Sequence, residues 1–374
     1  MKNKGFTLVE LLAVIAILAL LVIIALPNVL KMFNQAKKDT FLTESKNIYK
    51  EISKKYISET MRGNKINIIS NTNNKLDLES NNLKYNIKLK GDGSIKKFQV
   101  SNGTYCLSGK FNNLSELTTD KITEGECEIR EPKDFSTDSW ETIVEAVEED
   151  NTSKYNVGDT KEIDLNSYGK HTLRIANKST PSECSASGFS QTACGFVLEF
   201  ADIITTHNMN PAGEYNGTQY NNGHNIGGWP ASSMYTFVNN DIYNAIPDEI
   251  KNAIIDTTVV SGHGSTSGET NFTSTDKLYL LSTAEVWAQG SSNTISTDTA
   301  RDVTRQLDYY KNLGTSTSNR SGAIKKSGTS AAWWWLRAAR SNVNIDFYIV
   351  NSNGDFLYHN ANYTRGVAPV FRLG

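Results

Sequence analysis

Net charge, histidine, cysteine and proline are all in short supply. The 374 residues carry 38 Lys and Arg against 40 Asp and Glu, so the formal charge is −2 and no basic surplus exists to attract a polyphosphate. Nucleic acid is therefore not a favoured partner. The five histidines (His171, His207, His224, His263 and His359) show neither H-E-x-x-H nor H-x-H spacing, and Ser265 in Gly262-His263-Gly264-Ser265 stands outside a Gly-x-Ser-x-Gly elbow. Four cysteines without a C-x-x-C pair supply no zinc motif. Catalysis is not expected, no cofactor is implied, and a surface hydrolase would need a polar cluster in a deep pocket to stand against that reading. The seven prolines, set among many Asn, Ser, Thr, Gly and Tyr, suit exposed β structure with long loops.

Only one long apolar run is present, and it lies at the start. Met1-Lys-Asn-Lys-Gly5-Phe6-Thr-Leu-Val-Glu10 leads into sixteen uninterrupted apolar residues, Leu11 to Leu26. From Phe6 the stretch approaches the ~20 residues that cross a bilayer as a helix. A secretory signal would place a small-residue cleavage site after the apolar core; here the good processing point, Gly5, precedes it, so the segment is expected to stay. Lys2 and Lys4 put the N-terminus in the cytoplasm and the bulk of the chain outside. Glu10 is costly at this depth, by roughly 2.5–3.5 kcal/mol on insertion scales, unless it finds a partner or reaches the headgroups.

The short basic leader, Gly5, Phe6-Thr-Leu-Val-Glu10, the apolar run and Pro27 together resemble the type IV prepilin family. The resemblance implies cleavage after Gly5 by a prepilin peptidase, methylation of the new terminus at Phe6, and pairing of Glu10 with the terminal amine of a neighbouring pilin subunit, a pairing that neutralises two charges in hydrocarbon. It also implies a single-pass protein of the cytoplasmic membrane that moves into a surface pilus. Pro27 lacks a helical N–H donor, so a kink or local melting is expected around residues 25–28. Beyond it Ile48, Tyr49, Ile52 and Tyr56 form a stripe that should face a soluble head, and one helix is expected over residues 6–58 with its membrane part at 6–26.

With the chain outside the cytoplasm, the local pairs Cys106 with Cys127 and Cys184 with Cys194 read as disulfides. Tyr85, Ile87 and Leu89 alternate with polar residues, Gly91-Asp92-Gly93 supplies a turn, and Ile95, Phe98 and Val100 return, a hairpin with a slight register break. Tyr105 and Cys106 extend the sheet, giving a pilin-like head over 59–132. Asp138-Ser-Trp140-Glu141 reads as an N-cap with a reciprocal glutamate, starting a docking helix in a linker at 133–154.

The remainder, 155–374, carries Gly228-Trp229-Pro230, Phe237-Val-Asn-Asn-Asp-Ile-Tyr243, Ile254-Ile-Asp-Thr-Thr-Val-Val260, Asp276-Lys-Leu-Tyr-Leu-Leu-Ser282, Trp334-Trp-Leu-Arg337 and Gly366-Val-Ala-Pro-Val-Phe-Arg-Leu373, in that order. This series resembles a domain family of unknown function found on surface proteins of low-GC Gram-positive bacteria. Its ending is more remotely similar to C-type-lectin-like domains of the formylglycine-generating-enzyme fold, without that enzyme's C-terminal cysteine pair. The expected architecture is thus α+β: a long pilin helix, a small antiparallel head, and a larger mixed C-type-lectin-like domain.

Residues 341–365 interleave asparagine with Tyr, Asp, Phe and His, which is similar to the binding region of retroelement-diversified surface proteins. Tyr supplies contact area at low entropy cost and Asn adaptable hydrogen bonds. Asn344, Asp346, Tyr348, Asn353, Tyr358, His359, Asn362 and Tyr363 are the expected contacts to an extracellular protein or glycan; the plainer alternative is an Asn-rich surface hairpin turning at Asn353-Gly354. Of Trp333, Trp334 and Trp335, alternation sends one side to the core and leaves the other as a stacking platform. Arg337 is expected to form a buried pair or cap carbonyls. The working expectation is a minor or tip pilin displaying an adhesion domain. The competing readings are a pseudopilin of a secretion or DNA-uptake machine with the C-terminal domain as substrate receptor, and a retroelement-diversified surface binding protein.

Overall fold

A computed structural model describes residues 8–71, 73–78, 82–127, 132–290 and 293–374. Gly5 and Phe6, and with them the expected processing point, lie outside these residues. The chain divides between residues 129 and 130 into two compact units.

The first unit is a helix with a sheet. Helix α1 (Leu8–Met61) runs through Pro27 without interruption, so the local melting expected from a missing N–H does not occur. Its first half is exposed and apolar, the one described helix long and apolar enough to cross a membrane. Its second half buries Phe41, Ile48 and Ile52 against strands β1 (Ile68–Ser70), β2 (Lys84–Leu89), β3 (Ile95–Ser101), β4 (Tyr105–Gly109) and β5 (Ile122–Glu124). These form an antiparallel meander in chain order. The register shifts between Lys88 and Leu89, as the sequence of the hairpin implies. Gly93 is required in its turn: its φ is +83°, and a Cβ would sit 2.4 Å from the Tyr56 ring, whose hydroxyl donates to the Gly91 carbonyl at 2.8 Å. The Cys106–Cys127 disulfide closes the end of this sheet.

The second unit is a mixed α+β body with several sheets. Its N-terminal segment is no linker: Phe135, Ile143 and Ala146 enter the main core together with Tyr155. Helix α2 (Trp140–Glu148) is capped by Ser139, whose hydroxyl accepts from the Thr142 N–H at 3.2 Å, one residue later than the sequence suggests. Asp138 instead accepts from the Lys133 N–H and the Tyr155 hydroxyl, each at 2.8 Å, which ties the segment down. Strands β6 (Thr160–Asp164), β7 (Lys170–Asn177) and β8 (Phe196–Phe200) form a four-stranded antiparallel sheet completed at β8 by the last strand of the chain. The second disulfide, Cys184–Cys194, fastens the β7–β8 connection.

A five-stranded sheet carries the second half of the core. Strand β9 (Thr205–His207) is followed by three small hairpins: β10 (Gly213–Tyr215) with β11 (Thr218–Tyr220), β12 (Thr257–Ser261) with β13 (Phe272–Asp276), and β14 (Lys325–Ser327) with β15 (Ser330–Ala332). Then come β16 (Trp334–Ala339), β17 (Asp346–Val350), β18 (Phe356–Asn360), β19 (Arg365–Val367) and β20 (Val370–Leu373). The sheet order is β18-β17-β16-β19-β9, parallel only between β16 and β19, while β20 joins β8 in the other sheet.

Two ion-paired clusters are sealed inside this unit. Arg337 makes a two-pronged contact with Glu285 at 2.6 Å on each arm and caps the Leu280 and Val260 carbonyls. Glu199 meets Arg174 at 2.7 Å, Lys325 at 2.8 Å and the Tyr310 hydroxyl at 2.9 Å. Burial pushes the Glu199 carboxyl up, but the two cations and their hydrogen bonds outweigh it and hold the group down at about 2. Burial draws Lys325 down to about 8 against the pull of Glu199.

Candidate functional site

Strand β17 has no free face. All five of its residues are buried, because β16 and β18 flank it and other segments cover both sides. Asp346 is therefore a structural acid, bound to the Arg340 guanidinium at 3.2 Å, and Tyr348 is a core residue whose hydroxyl meets that of Thr297 at 2.5 Å. Burial pushes the Tyr348 phenol up from its ordinary value. Neither side chain is offered to a ligand, a correction to their expected role as contacts.

Strand β18 is the sheet edge, and there the expected side chains emerge. Tyr358 is exposed, with the Arg340 guanidinium 3.4 Å from its ring centre. Its strand neighbour His359 points to the other face. There the His359 ring lies 5.1 Å from Trp333 and 4.4 Å from Tyr363, while Arg365 reaches to 5.2 Å of Trp333 and 5.1 Å of Tyr363. Burial lowers the His359 pKa, and the neighbouring Arg365 charge lowers it further. The three tryptophans thus divide by environment: Trp334 and Trp335 are core, donating to the Ala323 and His207 carbonyls, and half-buried Trp333 is the platform.

The support for this face is rigid. In the β17–β18 turn, Asn351 Oδ1 accepts from the Asn353 and Asp355 N–H groups, and Asp355 is ion-paired to Arg320 at 2.6 Å. Asn353 is exposed at the tip. Gly354 has φ +84° and a Cβ there would lie 2.2 Å from the Arg320 carbonyl. Fully buried Asn225 donates its backbone N–H to the Asn344 carbonyl, and its side-chain amide donates to the Val343 and Asp346 carbonyls at 3.0 and 2.8 Å. The Asn344 side chain is exposed. On the far side of His359, Asn362 donates from its backbone to Asn222 and from its side chain to Asn221, both at 3.1 Å, docking the β10–β11 hairpin beside the cluster. That hairpin brings Tyr215 to 4.0 Å and Tyr220 to 5.4 Å from His224.

Of the eight expected contacts, Tyr358, His359, Asn362 and Tyr363 gather at the sheet edge, and Asn344 and Asn353 are exposed in separate loops. Arg365 and His224 stand outside the expected set, although Arg365 ends the Asn/Tyr-rich segment. Polar atoms that are buried and unpartnered recur here, including His359 Nδ1, Asn362 Oδ1, Arg365 Nε and His224 Nδ1. Such atoms are costly unless something completes them. Among the described residues no group of three or more His, Cys, Asp or Glu side chains is placed to hold a metal ion. What the cluster offers is stacking surface and hydrogen-bond donors.

The prokaryotic N-terminal methylation motif matches residues 1–26, and the domain of unknown function DUF6273 matches residues 200–374. No curated protein and no solved structure matches the chain significantly. The domain match opens at Phe200, the last residue of β8, so α2, β6 and β7 precede it although they share its core. The prepilin motif implies processing by a prepilin peptidase and assembly with other pilins in a membrane, and the apolar first half of α1 fits an anchor that later enters a pilus. A type IV pilin-like N-terminus here precedes a DUF6273 domain.

Proposed function

We propose that this protein is a minor or tip subunit of a type IV pilus whose C-terminal unit, a C-type-lectin-like recognition domain, binds an extracellular protein or glycan through the edge of its five-stranded sheet. One observation carries the reading: a prepilin motif is joined to a unit whose five-stranded sheet presents Trp333, His359, Tyr363 and Arg365 as an aromatic and cationic platform beside its β18 edge. Rigid aromatic side chains give contact area without an ordering cost, which suits recognition of a surface. A unit of this size on every subunit would crowd a helical lattice, which favours a sparse position. Glu10, exposed in the first turn of α1, is the residue proposed to set register with a neighbouring subunit. Wholesale diversification of 341–365 is disfavoured by the burial of Asp346, Phe347 and Tyr348.

The test is binding of the full chain, solubilised in detergent, to a panel of glycans and surface proteins, beside a Trp333→Ala, Tyr363→Ala double variant. Loss of a wild-type interaction in a still-folded variant supports the reading. Equal binding by both proteins moves the site elsewhere, and no binding by the wild type removes the adhesin assignment.

A further inference from the structure

The cations of the second unit are mostly spoken for. Arg174, Arg305, Arg320, Arg337 and Arg340 each hold a carboxylate within ion-pair distance, and Arg372 spends its donors on the Cys194 carbonyl and Gln191. Arg365 differs. The one hydrogen bond of its guanidinium among the described residues is from Nη1 to the adjacent Thr364 carbonyl at 2.9 Å, and no carboxylate pairs with it there. Its guanidinium is held against the rings of Trp333 and Tyr363. Stacking of this kind fixes the plane of the group while leaving donors along its edge, the arrangement that suits a planar or tetrahedral anion.

His359 adds a ring nitrogen in the same place, able to donate or accept according to its tautomer. It sits between Trp333 and Tyr363, and its Nδ1 is without a partner. The nearest acid, Asp346, is committed to Arg340. The cluster therefore combines the Arg365 guanidinium donors and an imidazole nitrogen with two aromatic faces and no acidic member. A neutral apolar partner would leave the Arg365 donors unmet, and a simple inorganic anion would leave the rings unused.

Resting on the reading of this edge as a recognition surface, we propose that the Trp333–His359–Tyr363–Arg365 cluster takes a pyranose ring bearing an anionic group, the ring's C–H face on the aromatic side chains and the anion on Arg365. Binding is non-covalent and requires no metal. Carboxylated and sulfated sugars share this chemistry, and the two are separated by the choice of probes.

The experiment titrates the full chain in detergent with lactose, 3′-sialyllactose and a 6-sulfated N-acetyllactosamine by calorimetry. The expected result is that at least one anionic sugar binds tenfold or more tightly than lactose, and that Arg365→Gln reduces this preference to under twofold while weak lactose binding persists. Arg365→Lys should retain part of the preference, and Trp333→Ala should weaken all three sugars. Native tryptophan fluorescence checks that each variant is folded. Equal affinity for lactose and both anionic sugars overturns the proposal while leaving the recognition surface standing, as does a preference that survives Arg365→Gln. No binding of any of the three sugars by the wild type overturns it too; the protein panel then decides whether the recognition surface survives.

Discussion

Glu199 sits between two cations, and the arithmetic of that cluster makes a sharp prediction. With Arg174 and Lys325 both charged, the buried group carries one anion and two cations. Replacing Lys325 by Met removes the surplus charge: Glu199 keeps Arg174, which donates from Nε and Nη2 at 3.1 and 2.7 Å, and the Tyr310 hydroxyl at 2.9 Å. What is lost is a pair of hydrogen bonds, to Glu199 at 2.8 Å and to the Phe200 carbonyl at 2.5 Å. Relief of the ammonium's desolvation offsets part of that loss, so the expected cost is about 1 kcal/mol. Replacing Glu199 by Gln leaves two buried cations without an anion, for which about 3–5 kcal/mol is expected. Urea unfolding followed by tryptophan fluorescence isolates the effect, because all six tryptophans, from Trp140 onward, belong to the second unit. The Lys325 ammonium lies 5.2 Å from the Trp334 ring, so midpoints and slopes, not native intensities, are the quantities to compare. If Lys325→Met costs as much as Glu199→Gln, the charge-balance reasoning is wrong.

The same acid sets a pH dependence. Its pKa is about 2 in the folded protein against the ordinary 4.5, so the unfolded chain takes up the proton first, and stability present above pH 4.5 is lost as pH falls toward 2. The full effect is about 3 kcal/mol, and acid titration of Glu199→Gln should be flatter across that window. Tyr348→Ala is expected to cost about 3–5 kcal/mol, as a buried aromatic with a hydroxyl partner, whereas Tyr358→Ala, exposed and stacked on Arg340, should cost about 1 kcal/mol or less; chemical denaturation distinguishes them. Gly354→Ala meets both a positive φ and the Arg320 carbonyl, so a loss of at least about 2 kcal/mol is expected, measured by the same unfolding midpoint.

What could be read from sequence was local, and what could not was set by distant chain. The β2–β3 hairpin announced itself because alternation, a glycine turn and the shift near Leu89 are all properties of sixteen or so neighbouring residues. The stripe of Ile48 and Ile52 was legible for the same reason. Asp346-Phe-Tyr-Ile-Val350, by contrast, reads as half exposed, since an acid and a tyrosine alternate with apolar residues. It is buried because Arg340, six residues earlier, satisfies the acid and Thr297, 51 residues away, satisfies the phenol. The Arg337–Glu285 pair, 52 positions apart, leaves no periodic trace. The segment after residue 132 reads as a junction with a short docking helix because the composition changes there, yet Phe135 and Ile143 belong to the core of the second unit. At the candidate site, the aromatic members were visible in the Asn/Tyr-rich stretch. The availability of Arg365 was not, because it is a statement about where all the acids went.

The pairing of β20 with β8 constrains the order in which the second unit folds. These strands are hydrogen-bonded neighbours from Val370 opposite Glu199 to Leu373 opposite Phe196, yet about 170 residues of chain intervene. The second unit therefore cannot close its four-stranded sheet until its last strand has emerged, while the N-terminal helix is already available to the membrane. That sheet must wait for β20, and until it arrives one edge of β8 stays unpaired. Contacts of such long sequence separation form slowly. A premature stop before Val370 would thus leave the sheet three-stranded, with β8 as an open edge over the core.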